Sequence, residues 1–331
     1  MASKHLDQIN LQQTSSHSYS ASSHEDWCVG PVLLGSTVAT VLHIASLAHL
    51  NGTLAEYKQP DVHTLHVEFL RPSMQLDFEI KVTDLKVGTG VCFIQLDLSQ
   101  DREEKAIALC TSTNFDVSLG PSAETGWVLH PPVGPVPDMK KIDAQLPEEN
   151  WVSGRIFGEI LPLTRRMFYL YPRKLHPDIG LIDFWMSFNG DERFLSATLP
   201  LAVDLVPSPT DTILGTGGEF DGRSNIHKSI EWAKQNPGVP LGLENTLEGL
   251  FKKSHLETTL CMNLEFKERL PKDGLRWVLL RTRTKMLQNG RLDLDVTICN
   301  EDLRPLCFAR QVMLSHDVVR RFRVKSTVPN L

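Results

Sequence analysis

Two stretches of the chain carry one pattern of apolar and polar positions. HTLHVEFLRP (residues 63–72) and TTLCMNLEFKERLP (residues 258–271) each read as a strand that runs into a charged corner closed by proline. Behind the first come DFEIKVTDL, VCFIQLDLS and KAIALCTSTNF; behind the second come LRWVLLRTRT, LDLDVTICN and PLCFARQVML, similar in length and order. The turns match as well, VGTG with QNGR before the central strands, then SQDREE with NEDLR at the hairpins that follow. An offset of roughly 200 residues is too long for a solenoid repeat and fits two copies of one domain fused head to tail. Upstream of each corner lies an apolar stretch of helical character, GPVLLGSTVATVLHIASLAHL (residues 30–50) and FLSATLPLAVDLV (residues 194–206). The pattern predicts an α+β protein in which two antiparallel four-strand meanders each wrap a central helix.

Taken in order, the chain divides into a disordered tail (1–25), a first domain (26–120), a linker (121–150) and a second domain (151–325) carrying an insertion at 207–254. The tail is rich in serine, histidine and glutamine, and nothing fixes His5, His17 and His24 around a metal. His63 and His66, three apart on a strand, point to opposite faces and cannot share an ion. Gly30 and Gly35 precede the first helix, where their amides can face an oxyanion or where close helix-to-sheet packing requires a tight turn. The insertion holds LGTGGEF, which lacks the lysine of a phosphate loop, and two amphipathic helices; it is expected to cap a ligand pocket. Asp204, in an otherwise apolar helix, is costly unless it is hydrogen-bonded, functional, or at the solvent-facing end.

Composition removes several function classes. A formal net charge of −6 argues against an extended basic face, so no nucleic-acid partner is expected. Six cysteines without a CxxC pair read as buried thiols and give no zinc site. No secretory core and no apolar run of roughly 18–20 residues is present, so neither a membrane partner nor export is expected and the protein is placed in the cytoplasm. The last residues, Val328 to Leu331, do not form a peroxisomal serine-lysine-leucine address. There is no GxSxG elbow for a serine nucleophile.

VHTLHVEFLRP, preceded by a glycine-containing apolar helix and followed by this meander, resembles the acyl-CoA thioesterase II family, whose members are tandem, or double, hotdog proteins. The similarity runs from about Trp27 to His316, apart from the insertion and linker. It implies a reactive site in the second hotdog: Asp204 as base or water orienter, Thr259 holding the same water, and Gln311 fixing the constellation. Gly30, Gly35, His66 and Phe69 are assigned to substrate binding. The family's DH pair between the threonine and Phe266 is absent from LCMNLE, and Thr258 beside Thr259 leaves a one-residue slip open. The implied activity is hydrolysis of an acyl thioester, on coenzyme A or a carrier protein, with no cofactor and no metal. The other reading is a double hotdog that binds, dehydrates, transacylates or cyclises an acyl- or polyketide-derived metabolite. A homo-oligomer is possible, although the two halves can satisfy hotdog pairing within one chain.

Overall fold

The alternating runs become strands because one side of each finds an apolar partner. In this computed structural model, which describes residues 4–317, the first half comprises α1 (Lys4–Ile9), β1 (Gln12–Ser15), β2 (Ser18–Ala21), α2 (Gly35–Asn51), β3 (Asp61–Phe69), β4 (Phe78–Lys86), β5 (Phe93–Gln100) and β6 (Glu103–Thr113). The second half follows with α3 (Met139–Asp143), β7 (Trp151–Gly158), β8 (Met167–Pro172), β9 (Leu181–Phe188), α4 (Leu199–Ala202), α5 (Pro209–Leu214), α6 (Gly222–Gln235), β10 (Leu241–Asn245) and α7 (Leu247–Lys252). It ends with β11 (His255–Phe266), β12 (Trp277–Arg283), β13 (Arg291–Cys299) and β14 (Pro305–Asp317). No helix among the described residues is long and apolar enough to cross a membrane.

The two copies join edge to edge. The sheets of the two halves join into one continuous 15-stranded sheet in the order β1-β2-β4-β5-β6-β3-β11-β14-β13-β12-β9-β8-β7-β10, with the two-residue strand Leu287–Gln288 off this path beside β13. The junction is the antiparallel pair of the two repeated stretches, β3 and β11, with His66 opposite Asn263. Counted from the Glu-Phe pair that ends each strand, those two are equivalent positions, so a local pseudo-twofold axis passes between them. Pairing like with like closes both exposed edges at once.

The first central helix is enclosed as expected. On α2, residues from Ser36 to Leu50 are mostly buried, and the helix packs on β3, β4, β5 and β6 and against α4. Its polar side chains bond back within the helix, Thr40 Oγ1 to the Ser36 carbonyl at 2.7 Å and Ser46 Oγ to the Leu42 carbonyl at 2.8 Å. His43, buried, contacts the Ala197 carbonyl through Nδ1 at 3.3 Å and stacks on Phe266 with ring centroids 4.5 Å apart. Burial lowers its pKa from 6.5 to about 4, so the ring is neutral in the fold. As pH falls from about 6.5 toward 4 the unfolded chain takes a proton that the folded one refuses. About 3 kcal/mol of stability is therefore lost across that window. Urea midpoints at pH 7 and pH 4.5 are expected to reveal this drop, and His43→Gln to flatten it; an equal drop in the variant would reject the assignment.

Three expectations are corrected. Residues 194–206 do not form one central helix: a 3-10 turn, Ser196–Thr198, runs into the four residues of α4. Pro200 fits only a first turn, and Pro207 draws the residue before it away from helical geometry. The longer α6 packs instead against β7, β8 and β10, so the insertion supplies the helix that the second sheet needs. β10 extends that sheet by pairing parallel with β7. Residues 4–21 are not a disordered tail. β2 adds to the sheet along β4, and Ile9, Tyr19 and Ala21 are buried. Small and polar composition hid the few apolar side chains that dock. The 121–150 segment is more than a linker, since Leu129 and Ile142 join Trp151, Leu170, Trp185 and Trp277 in a second apolar cluster. Indole faces on the outside of the sheet need this cover. The C-terminal address at Val328–Leu331 and the domain end at 325 lie outside the described residues.

All six cysteines are free, five of them buried. Burial pushes the thiols of Cys110, Cys299 and Cys307 up to about 12, which leaves them inert as nucleophiles.

Candidate active site

Asp204 follows α4 and bridges the first helix and its own half of the sheet. Oδ2 accepts the backbone N–H of Ser36 at 2.7 Å, in the first turn of α2, and Oδ1 accepts Gln311 Nε2 at 2.8 Å. A carboxylate at that helix end meets the positive pole of the macrodipole. Gln311, on β14 and fully buried, also directs Nε2 to the Val203 carbonyl at 3.3 Å, and its Oε1 accepts the Thr259 hydroxyl at 3.0 Å. An amide, a carboxylate, a carboxamide and a hydroxyl thus form one hydrogen-bonded line drawn from α2, the end of α4, β14 and β11.

A bulge in β11 makes this line possible. Thr259 pairs with Met313 while Cys261 pairs with Val312, so Leu260 is an extra residue against β14. In an unbroken strand Thr259, three residues before the inward-facing Met262, would face the opposite side. The extra residue turns Thr259 inward and resolves the choice between neighbours: Thr259 bonds Gln311, while Thr258 is exposed at the cavity wall.

Burial dominates the electrostatics of Asp204. It raises the carboxyl pKa above the ordinary 3.8, and the donors from Ser36 and Gln311 pull it partly back. Such a carboxylate is a stronger base than a solvated one and is held in place by two donors.

Beside the line lies a cavity of about 650 Å³ lined by Asp204, Thr259, Gly35 and Phe69. Tyr169, Tyr171 and Phe184 of the second sheet form one wall; Phe220, Leu243 and Lys253 of the insertion form another. Gly35 owes its place to close approach. A Cβ there would sit 3.3 Å from Phe69 Cζ and 3.4 Å from Asp204 Oδ2.

Of the residues assigned to substrate binding, Gly35 and Phe69 line this cavity; Gly30 and His66 do not. Gly30 holds a left-handed turn, φ 61°, between the short strands Cys28–Val29 and Val32–Leu33, and a Cβ on it would meet nothing within 4 Å. His66 lies between Leu65 and Val67, whose side chains are buried against the core. Strand alternation therefore puts it on the other face, where Nε2 is 3.1 Å from Glu68 Oε1. Two participants escaped the sequence reading. The Ser36 amide is backbone and carries no residue-type signal. Lys253, in the insertion, is ion-paired with Asp211 at 2.6 Å and lies over the Phe220 ring at 4.6 Å.

Residues 140–315 match the acyl-CoA thioesterase C-terminal domain and residues 23–113 the acyl-CoA thioesterase N-terminal domain. The chain is 23% identical over 339 residues to the thioesterase-like protein TwmA of Talaromyces wortmannii, covering 95% of this chain and 92% of that one. Its fold is similar to that of a conserved protein of unknown function with hot dog fold from Alicyclobacillus acidocaldarius (TM-score 0.63, 14% identity, 96% and 99% of the two chains). It is similar also to the acyl-CoA thioesterase II TesB2 of Mycobacterium marinum (TM-score 0.60, 13% identity, 95% and 98%). With the paired domains of one family matched in order along both halves, the chain belongs to the acyl-CoA thioesterases, as a double hotdog.

Proposed function

We propose that this thioester hydrolase places an acyl chain in the cavity and cleaves its thioester with a water held between Asp204 and Thr259. The observation that carries the reading is the hydrogen-bonded line from Ser36 through Asp204 and Gln311 to Thr259 at the cavity wall. Because the Thr259 hydroxyl proton is given to Gln311, its oxygen is left to accept from a water. Asp204, with one donor on each oxygen, retains lone pairs for the same water.

Water oxygen attacks the carbonyl carbon while Asp204 takes its proton. The negative charge that develops on the carbonyl oxygen is favoured by the positive end of α2, which reaches the cavity at Gly35. Collapse expels the thiolate, which receives the proton from Asp204, so acid and free thiol leave and the carboxylate is restored. Holding water, base and carbonyl in one geometry supplies several kcal/mol of barrier reduction, and no covalent nucleophile is needed.

Coenzyme A or a carrier protein can present such a thioester. The test is release of free thiol from a panel of acyl-CoA and acyl-carrier-protein substrates of graded length, followed against pH. Turnover is expected to fall as pH drops through the Asp204 pKa, with the acid limb above the ordinary carboxylate range because burial raises that pKa. Acyl-CoA binding without any thiol release would overturn the hydrolytic mechanism in favour of a site that binds or rearranges the acyl group.

A further inference from the structure

At the far end of α2 three side chains from separate elements converge. His17 sits in the turn between β1 and β2, His49 in the last turn of α2, and Asp84 on β4. Asp84 Oδ2 is 3.0 Å from His17 Nε2, and its Oδ1 is 3.0 Å from His49 Nε2. One ligand atom from each of the three lies within 4.8 Å of the others. We propose that His17, His49 and Asp84 form a binding site for a divalent transition-metal ion of the zinc class, with solvent in the fourth position.

Four features of the cluster suit an ion. Tetrahedral zinc with ligands at about 2.0 Å sets neighbouring donors roughly 3.3 Å apart, close to the nitrogen-to-oxygen separations present here. The rings stand edge to face, with centroids 5.1 Å apart and planes at 62°, so their Nε2 atoms approach the carboxylate from different directions. Both outer nitrogens already have partners: His49 Nδ1 is 3.2 Å from Tyr19 Oη and His17 Nδ1 is 2.9 Å from Ser16 Oγ. A hydroxyl oxygen accepts from Nδ1–H, so each ring can carry its proton outward and leave the Nε2 lone pair for the metal, the support that histidine ligands generally have. Access is one-sided. The His49 side chain is 0% exposed, whereas Asp84 is 24% and His17 43% exposed, which opens a path from the hairpin side.

The ion would tie the N-terminal hairpin to α2 and β4. The hairpin otherwise holds the sheet through the short β2–β4 pairing. His49 lies about 20 Å along the helix from Ser36, so the site is separate from the proposed thioester chemistry.

The test uses the full chain without an affinity tag, stripped with chelator and titrated with Co²⁺ and then Zn²⁺. One equivalent of Co²⁺ is expected to give the visible absorption of a four-coordinate site, to be displaced by Zn²⁺, and Zn²⁺ to raise Tm by roughly 5 °C. His17→Gln and Asp84→Asn are each expected to weaken binding by about 100-fold or more. His24→Gln, which alters a histidine of the same N-terminal segment outside the cluster, is expected to bind as the unaltered chain does. His17 is half exposed, so His17→Gln leaves the packing of α2 in place, and circular dichroism checks that it does. Absence of saturable one-to-one binding overturns the proposal, as does binding of equal affinity in His17→Gln and Asp84→Asn.

Discussion

Asp204→Asn is expected to slow thioester hydrolysis by about 10²- to 10⁴-fold with little change in KM, the loss that follows removal of a positioned general base. The effect should fall on kcat because Asp204 is proposed to meet water and not the acyl chain. The fold should survive. The introduced carboxamide can accept the Ser36 N–H through its carbonyl oxygen and donate its own N–H to Gln311, provided that the Gln311 carboxamide turns over. The Gln311 nitrogen then faces Thr259, whose hydroxyl oxygen can accept. The line from Ser36 to Thr259 is kept while the base is lost, at the cost of the 3.3 Å bond from Gln311 Nε2 to the Val203 carbonyl. Removing a charge held against burial removes a desolvation cost, which offsets the lost Val203 bond, so stability near neutral pH should change little. Thiol release within about tenfold of the unaltered protein, at unchanged circular dichroism, would remove Asp204 from the chemistry.

Breaking the Arg281–Asp183 pair is expected to cost about 3–5 kcal/mol of folding stability. The two residues sit directly opposite each other on β12 and β9, bound through Nε to Oδ1 at 2.7 Å and Nη2 to Oδ2 at 2.7 Å. Nη1 of Arg281 bonds the Pro131 carbonyl at 2.6 Å, and so ties the 121–150 segment to the tryptophan-lined face. The side chains are 6% and 11% exposed, which is why removing one partner leaves a charge without solvent to repay it. Arg281→Ala should lower the urea midpoint strongly, while Arg281→Met with Asp183→Leu should recover most of the loss, because a packed apolar pair replaces two desolvated ions. If the single substitution moves the midpoint by less than about 1 kcal/mol, the pair is more solvated than its burial indicates.

Much of this molecule was legible one residue after another. Strand alternation has a period of two and depends only on near neighbours, so the two meanders, their hairpins and the duplicated corner could be read from residues 63–72 and 258–271. The resemblance carried by LHVEFLRP supplied Asp204, Thr259 and Gln311 as types at matching places. Neither route carried every detail. Face alternation alone would have turned His66 away from the cavity, and Pro200 and Pro207 would have shortened the second central helix had they been weighed against its apolar run.

The amino-acid sequence by itself determined the doubled pattern of strands, the enclosed first helix and the polar residues available for chemistry, because periodicity and propensity act over a few neighbouring positions. Tertiary structure alone decided which of those residues meet. The β11 bulge turned Thr259 inward, the insertion's α6 became the helix of the second sheet, and a backbone amide of the first half came to hold the carboxylate of the second. Likewise His17, His49 and Asp84 converge only because β2 pairs with β4 beneath the end of α2. Long-range register, set by the packing of whole elements, leaves no mark at the positions it brings together.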